Sequence, residues 1–112
     1  MILEKGDNML LATLLLVMGG ADLPPVGADH SAEIARQCAG ESPNDKSAQE
    51  LCKGNGAQGV IRFEKARKAL GDKIEDELGS CLYVWTTDDL PDWSMVGKCA
   101  KVHADSYHVT IP

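Results

Sequence analysis

Four cysteines, Cys38, Cys52, Cys81 and Cys99, constrain this chain more than any other feature of it. None of them stands in C-x-x-C or C-x-x-C-H spacing, so a thioredoxin-like redox pair, a zinc ribbon and a c-type haem attachment each lack their signature. An even number of thiols without metal-ligand spacing reads as two disulfides, and disulfides read as an oxidising compartment. Four thiols allow three pairings, and local geometry chooses among them. If residues 88–92 form a hairpin loop centred on Leu90, opposed residues have numbers summing to 180, which sets Cys81 against Cys99. Directly opposed β-carbons lie about 4.5 to 5.5 Å apart, close enough for a disulfide after a small adjustment. Cys38 is then left with Cys52, a closure between two helices.

The N-terminal residues agree with that compartment. Residues 9–18 carry no charge, and Gly19, Gly20 and Ala21 follow before Asp22. A bilayer-spanning helix needs about 20 apolar residues, whereas the core of a signal peptide needs about 7 to 15 and then small residues at the cleavage point. Gly19 and Ala21 suit cleavage before Asp22, and Val26 and Ala28 suit cleavage before Asp29. Residues 1–28 are therefore expected to be a signal peptide and leader, with one small domain over 29–112. Glu4 and Asp7 against Lys5 run counter to the basic start of an export signal. No cysteine stands just after the apolar run, so the mature form is expected to be secreted or periplasmic, free of the membrane.

Hydrophobic periodicity and punctuation then divide the mature chain. A first helix is expected over 31–39, capped by Asp29 or Ser31 and stopped at Gly40. A second opens at Ser42-Pro43 or at the Ser47 to Glu50 capping box and ends at Gly54-Asn55-Gly56. Val60, Phe63, Ala66 and Leu70 share one arc of a third, over 58–70, with Gly71 at its stop. Asp72 caps a short turn that Gly79 closes. Residues 81–87 are rich in β-branched and aromatic side chains and read as a strand, with 93–103 as its partner and 107–111 as a third. The expected fold is thus α+β: three or four short helices packed on one face of a three-stranded antiparallel β-meander, stapled by the two disulfides. Cys81, Tyr83, Trp85, Trp93, Met95, Gly97 and Cys99 share the covered face, and Gly97 leaves room for the ring of Tyr83.

Chemistry is thin. His103, Asp105 and His108 are the first metal candidate, yet the two histidines have opposite parity on a strand and stand about 140° apart on a helix. Asp88, Asp89 and Asp92 around Leu90-Pro91 have hard-cation ligands but no EF-hand spacing, and Asp and Pro suit a hairpin loop for their backbone habits. Four thiols that pair off leave no nucleophile, and no G-x-S-x-G, P-loop or dinucleotide fingerprint is present. No enzyme, metal or cofactor is expected.

Binding is the remaining class. Seventeen acidic against eleven basic residues give a net charge of -6, which argues against a phosphate backbone as partner and so against nucleic acid. Trp85 and Trp93 beside Asp88, Asp89 and Asp92 offer an apolar centre with an acidic rim, with Trp93 as anchor for a basic protein. The expected function is that of an exported inhibitor, immunity-type or accessory protein. A second function class comes from a resemblance. Asn55-Gly56, the helical stretch after it, residues 82–88 and residues 95–98 together resemble the helix, first strands and loop of extracytoplasmic Cache sensory domains. The resemblance covers under half of the chain, with a shorter loop and with cysteines foreign to the pattern, and it implies a small-ligand sensor without assigning a ligand site.

Overall fold

A computed structural model describes residues 22–112, so the apolar run at 9–18 lies outside the described residues. The chain is a helical assembly with one short hairpin. Helix α1 (Ser31–Glu41) is followed by α2 (Lys46–Leu70), a 3-10 turn (Gly71–Ile74) and α3 (Glu75–Val84). Strands β1 (Thr86–Thr87) and β2 (Leu90–Pro91) form the hairpin, and α4 (Trp93–Ser106) comes last. The expected three-stranded meander is absent from the described residues: 81–84 and 93–103 are helical, and 107–111 is not a strand.

Spacing explains the correction. Ile74, Leu78, Cys81 and Leu82 are buried at i, i+4, i+7 and i+8, a helical stripe, whereas Tyr83, Val84 and Trp85 are all exposed rather than alternating. Trp93, Val96, Gly97, Ala100 and Ala104 repeat the helical spacing in α4. The β-branched and aromatic residues of 81–87 favour a strand in isolation, but strand preference depends on context, and here packing overrides it.

Helix α2 corrects a second expectation, since it runs unbroken for 25 residues, about 37 Å, through Gly54, Gly56 and Gly59. Its start is capped by Asp45, whose carboxylate accepts from the Ala48 amide at 3.0 Å. Gly56 and Gly59 are contact points rather than helix breakers. A β-carbon on Gly56 would stand 2.8 Å from Ile34 Cγ2 of α1, and one on Gly59 would collide with the backbone of Trp93 at the start of α4. Gly97 of α4 faces Gly59 in turn, so the two backbones touch where α2 and α4 cross. Gly97 makes room for α2, not for the Tyr83 ring.

Around that crossing lies a core of Phe63 and Ala66 from α2, Ile74, Leu78 and Leu82 from the 3-10 turn and α3, and Val96 and Ala100 from α4. The Cys38–Cys52 disulfide ties α1 to α2 with Cα atoms 5.7 Å apart, and Cys81–Cys99 ties α3 to α4 with Cα atoms 5.8 Å apart. Both expected pairings are present, although the second joins helices on either side of the hairpin rather than opposed strands. After α4 the chain turns at His108, which has a φ of 64°. The His108 and Val109 amides donate to the Asp105 and Ala104 carbonyls, a Schellman closure with histidine in the glycine position. Ile111 is then buried against the core, and Arg62 Nε donates to a Pro112 oxygen at 2.8 Å. No helix among the described residues is long and apolar enough to cross a membrane.

Candidate functional site

The hairpin between α3 and α4 carries the acidic residues expected to rim a docking surface. Thr86 pairs with Pro91 and Thr87 with Leu90, so opposed numbers sum to 177 and the loop is only Asp88-Asp89. Both aspartates have positive φ, 52° and 64°, the conformation of a type I′ turn. Glycine or asparagine adopts it most readily, because a β-carbon crowds the left-handed region. Two adjacent aspartates are therefore a costly choice for the turn itself. The hairpin is closed below by the Asp92 amide, which donates to the Trp85 carbonyl at 2.8 Å, and by the Thr86 hydroxyl, which donates to the Leu82 carbonyl at 2.6 Å.

The structure divides the expected docking residues. Asp88 and Asp89 are exposed at the turn, and Trp85 is 37% exposed at the end of α3. Asp92 is half-buried, and its carboxylate accepts from the Met95 amide at 3.3 Å as the cap of α4. Trp93 is 2% exposed, which corrects the expectation of an exposed anchor. Its ring packs edge-on to Phe63, with centroids 5.3 Å apart and planes at 84°. The exposed apolar residues are instead Tyr83 at 77% and Val84 at 63%, next to Trp85. Tyr83 and Trp85 thus leave the covered face that a strand register assigns them, and the helical stripe of α3 is the sequence signal that places Tyr83 outside.

Two open clefts flank the hairpin. One, of about 590 Å³, runs between the hairpin and α1, with Glu41, Asp88 and Asp92 against a single cation, Arg36, and with Val84 and Trp85 in its wall. The other, of about 490 Å³, lies on the Tyr83 side and shares Asp88 with the first. Asp88 thus stands between two surfaces of mixed apolar and acidic character.

Beneath the hairpin is a polar cluster that sequence reasoning missed. His30, at the N-terminus of α1, is 7% exposed, and its Nδ1 lies 2.9 Å from Glu33 Oε1. The same carboxylate oxygen accepts from Trp93 Nε1 at 3.1 Å. The rings of His30 and Trp93 lie against each other with centroids 4.4 Å apart. One carboxylate oxygen of Glu33 thus meets both His30 Nδ1 and Trp93 Nε1, while the buried His30 Nε2 finds no partner among the described residues. The His30-x-x-Glu33 spacing, one helical turn, is the only local signal of the cluster.

The histidine metal candidate does not assemble. His103 lies on α4 and His108 at the turn after it, and the metal-ligand types that the described residues draw together are Cys81, Cys99 and His103. Two of those three ligand atoms are bonded to each other as a disulfide. Comparison with family models, with curated proteins and with solved structures gives no match to this chain.

Proposed function

We propose that this protein is an exported binding module that docks a basic protein through its acidic hairpin turn and the Tyr83, Val84 and Trp85 run beside it. The observation that carries this proposal is the meeting of three exposed large apolar side chains with two exposed carboxylates at one turn. An apolar centre with a charged rim suits protein recognition, the charge steering the encounter and the aromatic groups supplying contact area. The turn supports the same function. Asp88 and Asp89 occupy left-handed positions where asparagine and glycine cost less, and unfavourable backbone choices of this kind cluster where function demands a side chain.

Export rests on both disulfides and on the apolar run with small residues after it. Leu23 packs on the core and the Pro24 carbonyl accepts from Arg67 Nη1, so processing before Asp22 preserves contacts that processing before Asp29 would remove. An inhibitor, immunity-type or accessory role follows by association with small acidic exported domains. The sensor alternative draws on strands at 82–88 and 95–98, and the helices found at 82–84 and 95–98 remove that support.

The test is capture of a partner from the extracytoplasmic fraction, followed by amide-shift mapping with the identified protein. A basic partner that shifts residues 83–89, weakens with added salt, and binds at least tenfold more weakly to the Tyr83→Ser, Trp85→Ser double variant is expected. Shifts confined to the outer face of α2 around Leu51 and Ile61, or salt-independent binding, would overturn the proposal.

A further inference from the structure

The disulfide between α3 and α4 has a neighbour that the other disulfide lacks. Cys99 and His103 stand one turn apart on α4, so their side chains share a face. An imidazole nitrogen of His103 and the sulfurs of Cys81 and Cys99 all lie within 4.8 Å of one another. On α3, Glu77 stands one turn before Cys81 and adds a carboxylate to the same side of that helix. At the Cys38–Cys52 bridge the polar neighbour is instead the amide oxygen of Gln37, 3.7 Å from each sulfur. An imidazole beside a sulfur favours its thiolate form, and a sulfur that leaves as thiolate leaves faster in exchange, whereas an amide oxygen gives no such help. Cys99 and His103 are both half-buried, so a reductant or an ion approaches from their side while Cys81 is enclosed by the core.

We infer that reduction of Cys81–Cys99 turns this group into a zinc site, with the two thiolates and the His103 imidazole as its protein ligands. A dithiol reductant supplies two electrons and two protons, the S–S bond becomes two thiols, and the reductant becomes a disulfide. Zinc then displaces both thiol protons and binds the imidazole nitrogen, and water fills the fourth position. Thiolate and imidazole are the ligands that zinc prefers, and in a tetrahedral site their donor atoms stand about 3.5 to 3.8 Å apart. With Cα atoms 5.8 Å apart and the imidazole already in place, opening the sulfurs to that spacing is a matter of side-chain rotation. An exported chain is made where thiols are kept reduced and is oxidised afterwards, so it passes through the metal-binding form. Zinc there ties α3 to α4 at the base of the hairpin, as the disulfide does later, and oxidation releases it. The chemistry of the site stands apart from the docking function proposed above.

The test titrates cobalt(II), a coloured stand-in for zinc, into the full chain after reduction with dithiothreitol and removal of the reductant without oxygen. Thiolate-to-cobalt charge-transfer absorption and the visible bands of tetrahedral cobalt are expected at stoichiometric metal, with zinc displacing the colour. The oxidised protein should show neither. Cys38→Ser with Cys52→Ser should keep the spectrum, and Cys81→Ser with Cys99→Ser should lose it. His103→Ala should weaken metal binding at least tenfold, since even outer-shell changes at such sites cost about 10-fold to 100-fold. That variant leaves both sulfurs and the buried core in place, so it reads the site even where the double serine variant fails to fold. Zinc should also raise the melting temperature of the reduced protein and leave that of the oxidised protein unchanged. Absence of charge-transfer bands in the reduced chain, bands that survive the loss of Cys81 and Cys99, or an affinity unchanged by His103→Ala would each overturn the inference.

Discussion

Replacing Gly97 by alanine tests the helix crossing on which the architecture depends. A β-carbon at Gly97 would lie 2.7 Å from the Gly59 carbonyl oxygen and closer still to the Gly59 α-carbon. Ordinary contact begins near 3.4 Å, and the obstacle is backbone, so no rotamer change relieves it and α2 must move away from α4. That displacement loosens Phe63, Trp93, Val96 and Ala100, all of which are buried beside the crossing. Overpacking of a well-packed core costs about 1 to 3 kcal/mol, and a rigid obstacle argues for the upper end. Helix propensity returns about 1 kcal/mol when glycine becomes alanine, which leaves a net loss of about 2 kcal/mol. For a domain of this size that is a fall of roughly 8 to 16 °C in melting temperature. Gly54, also in α2, has open space for at least 4 Å around the point where a β-carbon would stand, and it serves as the control. Gly54→Ala should gain up to about 1 kcal/mol, for propensity alone. Urea unfolding followed by circular dichroism measures both variants. A Gly97→Ala protein as stable as the parent would refute the close crossing.

Three further outcomes follow from single contacts. His108 holds a left-handed φ of 64° at the end of α4, so His108→Gly should raise stability by about 0.5 to 1 kcal/mol in the same denaturant assay. Cys38→Ser with Cys52→Ser opens a loop with a sequence separation of 14, and about 3 kcal/mol should be lost in the chain-entropy description, measured against the oxidised parent. The Tyr107 hydroxyl donates to Glu77 Oε2 at 2.7 Å, which holds the Glu77 carboxyl below its ordinary 4.5 and the Tyr107 phenol above its ordinary 10.0. The depressed carboxyl contributes stability above pH 4.5 that disappears as pH falls through its folded value, and the raised phenol contributes below pH 10.0 and loses it as pH rises through its own. The hydroxyl also lies 3.0 Å from the Lys73 carbonyl, so the gap between the Tyr107→Phe and parent stability curves should be widest between those limits and narrow outside them, and a constant gap across the acid limb would contradict the bond to Glu77.

Much of the helical part is legible in the sequence because its signals are local. Gly71 ends α2 as the punctuation implies, whereas α1 starts after His30, which makes no side-chain cap, with Asp29 accepting from the Ser31 amide beside it, and runs past Gly40 to Glu41. Strands at 81–87 and 93–103 are the wrong inference because strand preference is a weaker signal there than the i, i+4, i+7 spacing of Ile74, Leu78 and Cys81 and the matching stripe from Trp93 to Ala104. Gly54 and Gly56 suggest a break because a glycine needed for close helix contact looks the same in sequence as one that ends a helix. The pairing of Cys81 with Cys99 survives the loss of the strands. Any reversal at 88–89 brings its two flanks together, whether they are extended or helical. At the candidate site the acidic turn is visible in the sequence, but the positions of Trp93 and Tyr83 follow from the strand register and fall with it. The His30 and Glu33 cluster depends on a contact with Trp93 at a sequence distance of 60, which no local pattern encodes.

Docking through the hairpin meets its most direct measurement in the turn itself. Asp88→Asn with Asp89→Gly supplies the residues that a type I′ turn favours and removes two negative charges without touching the cap at Asp92. Chemical unfolding and calorimetric titration with the identified partner are then read on one preparation. Stability should rise by about 1 kcal/mol while partner affinity falls at least tenfold. A variant that is more stable and binds its partner as tightly as the parent would contradict a docking role for the two aspartates.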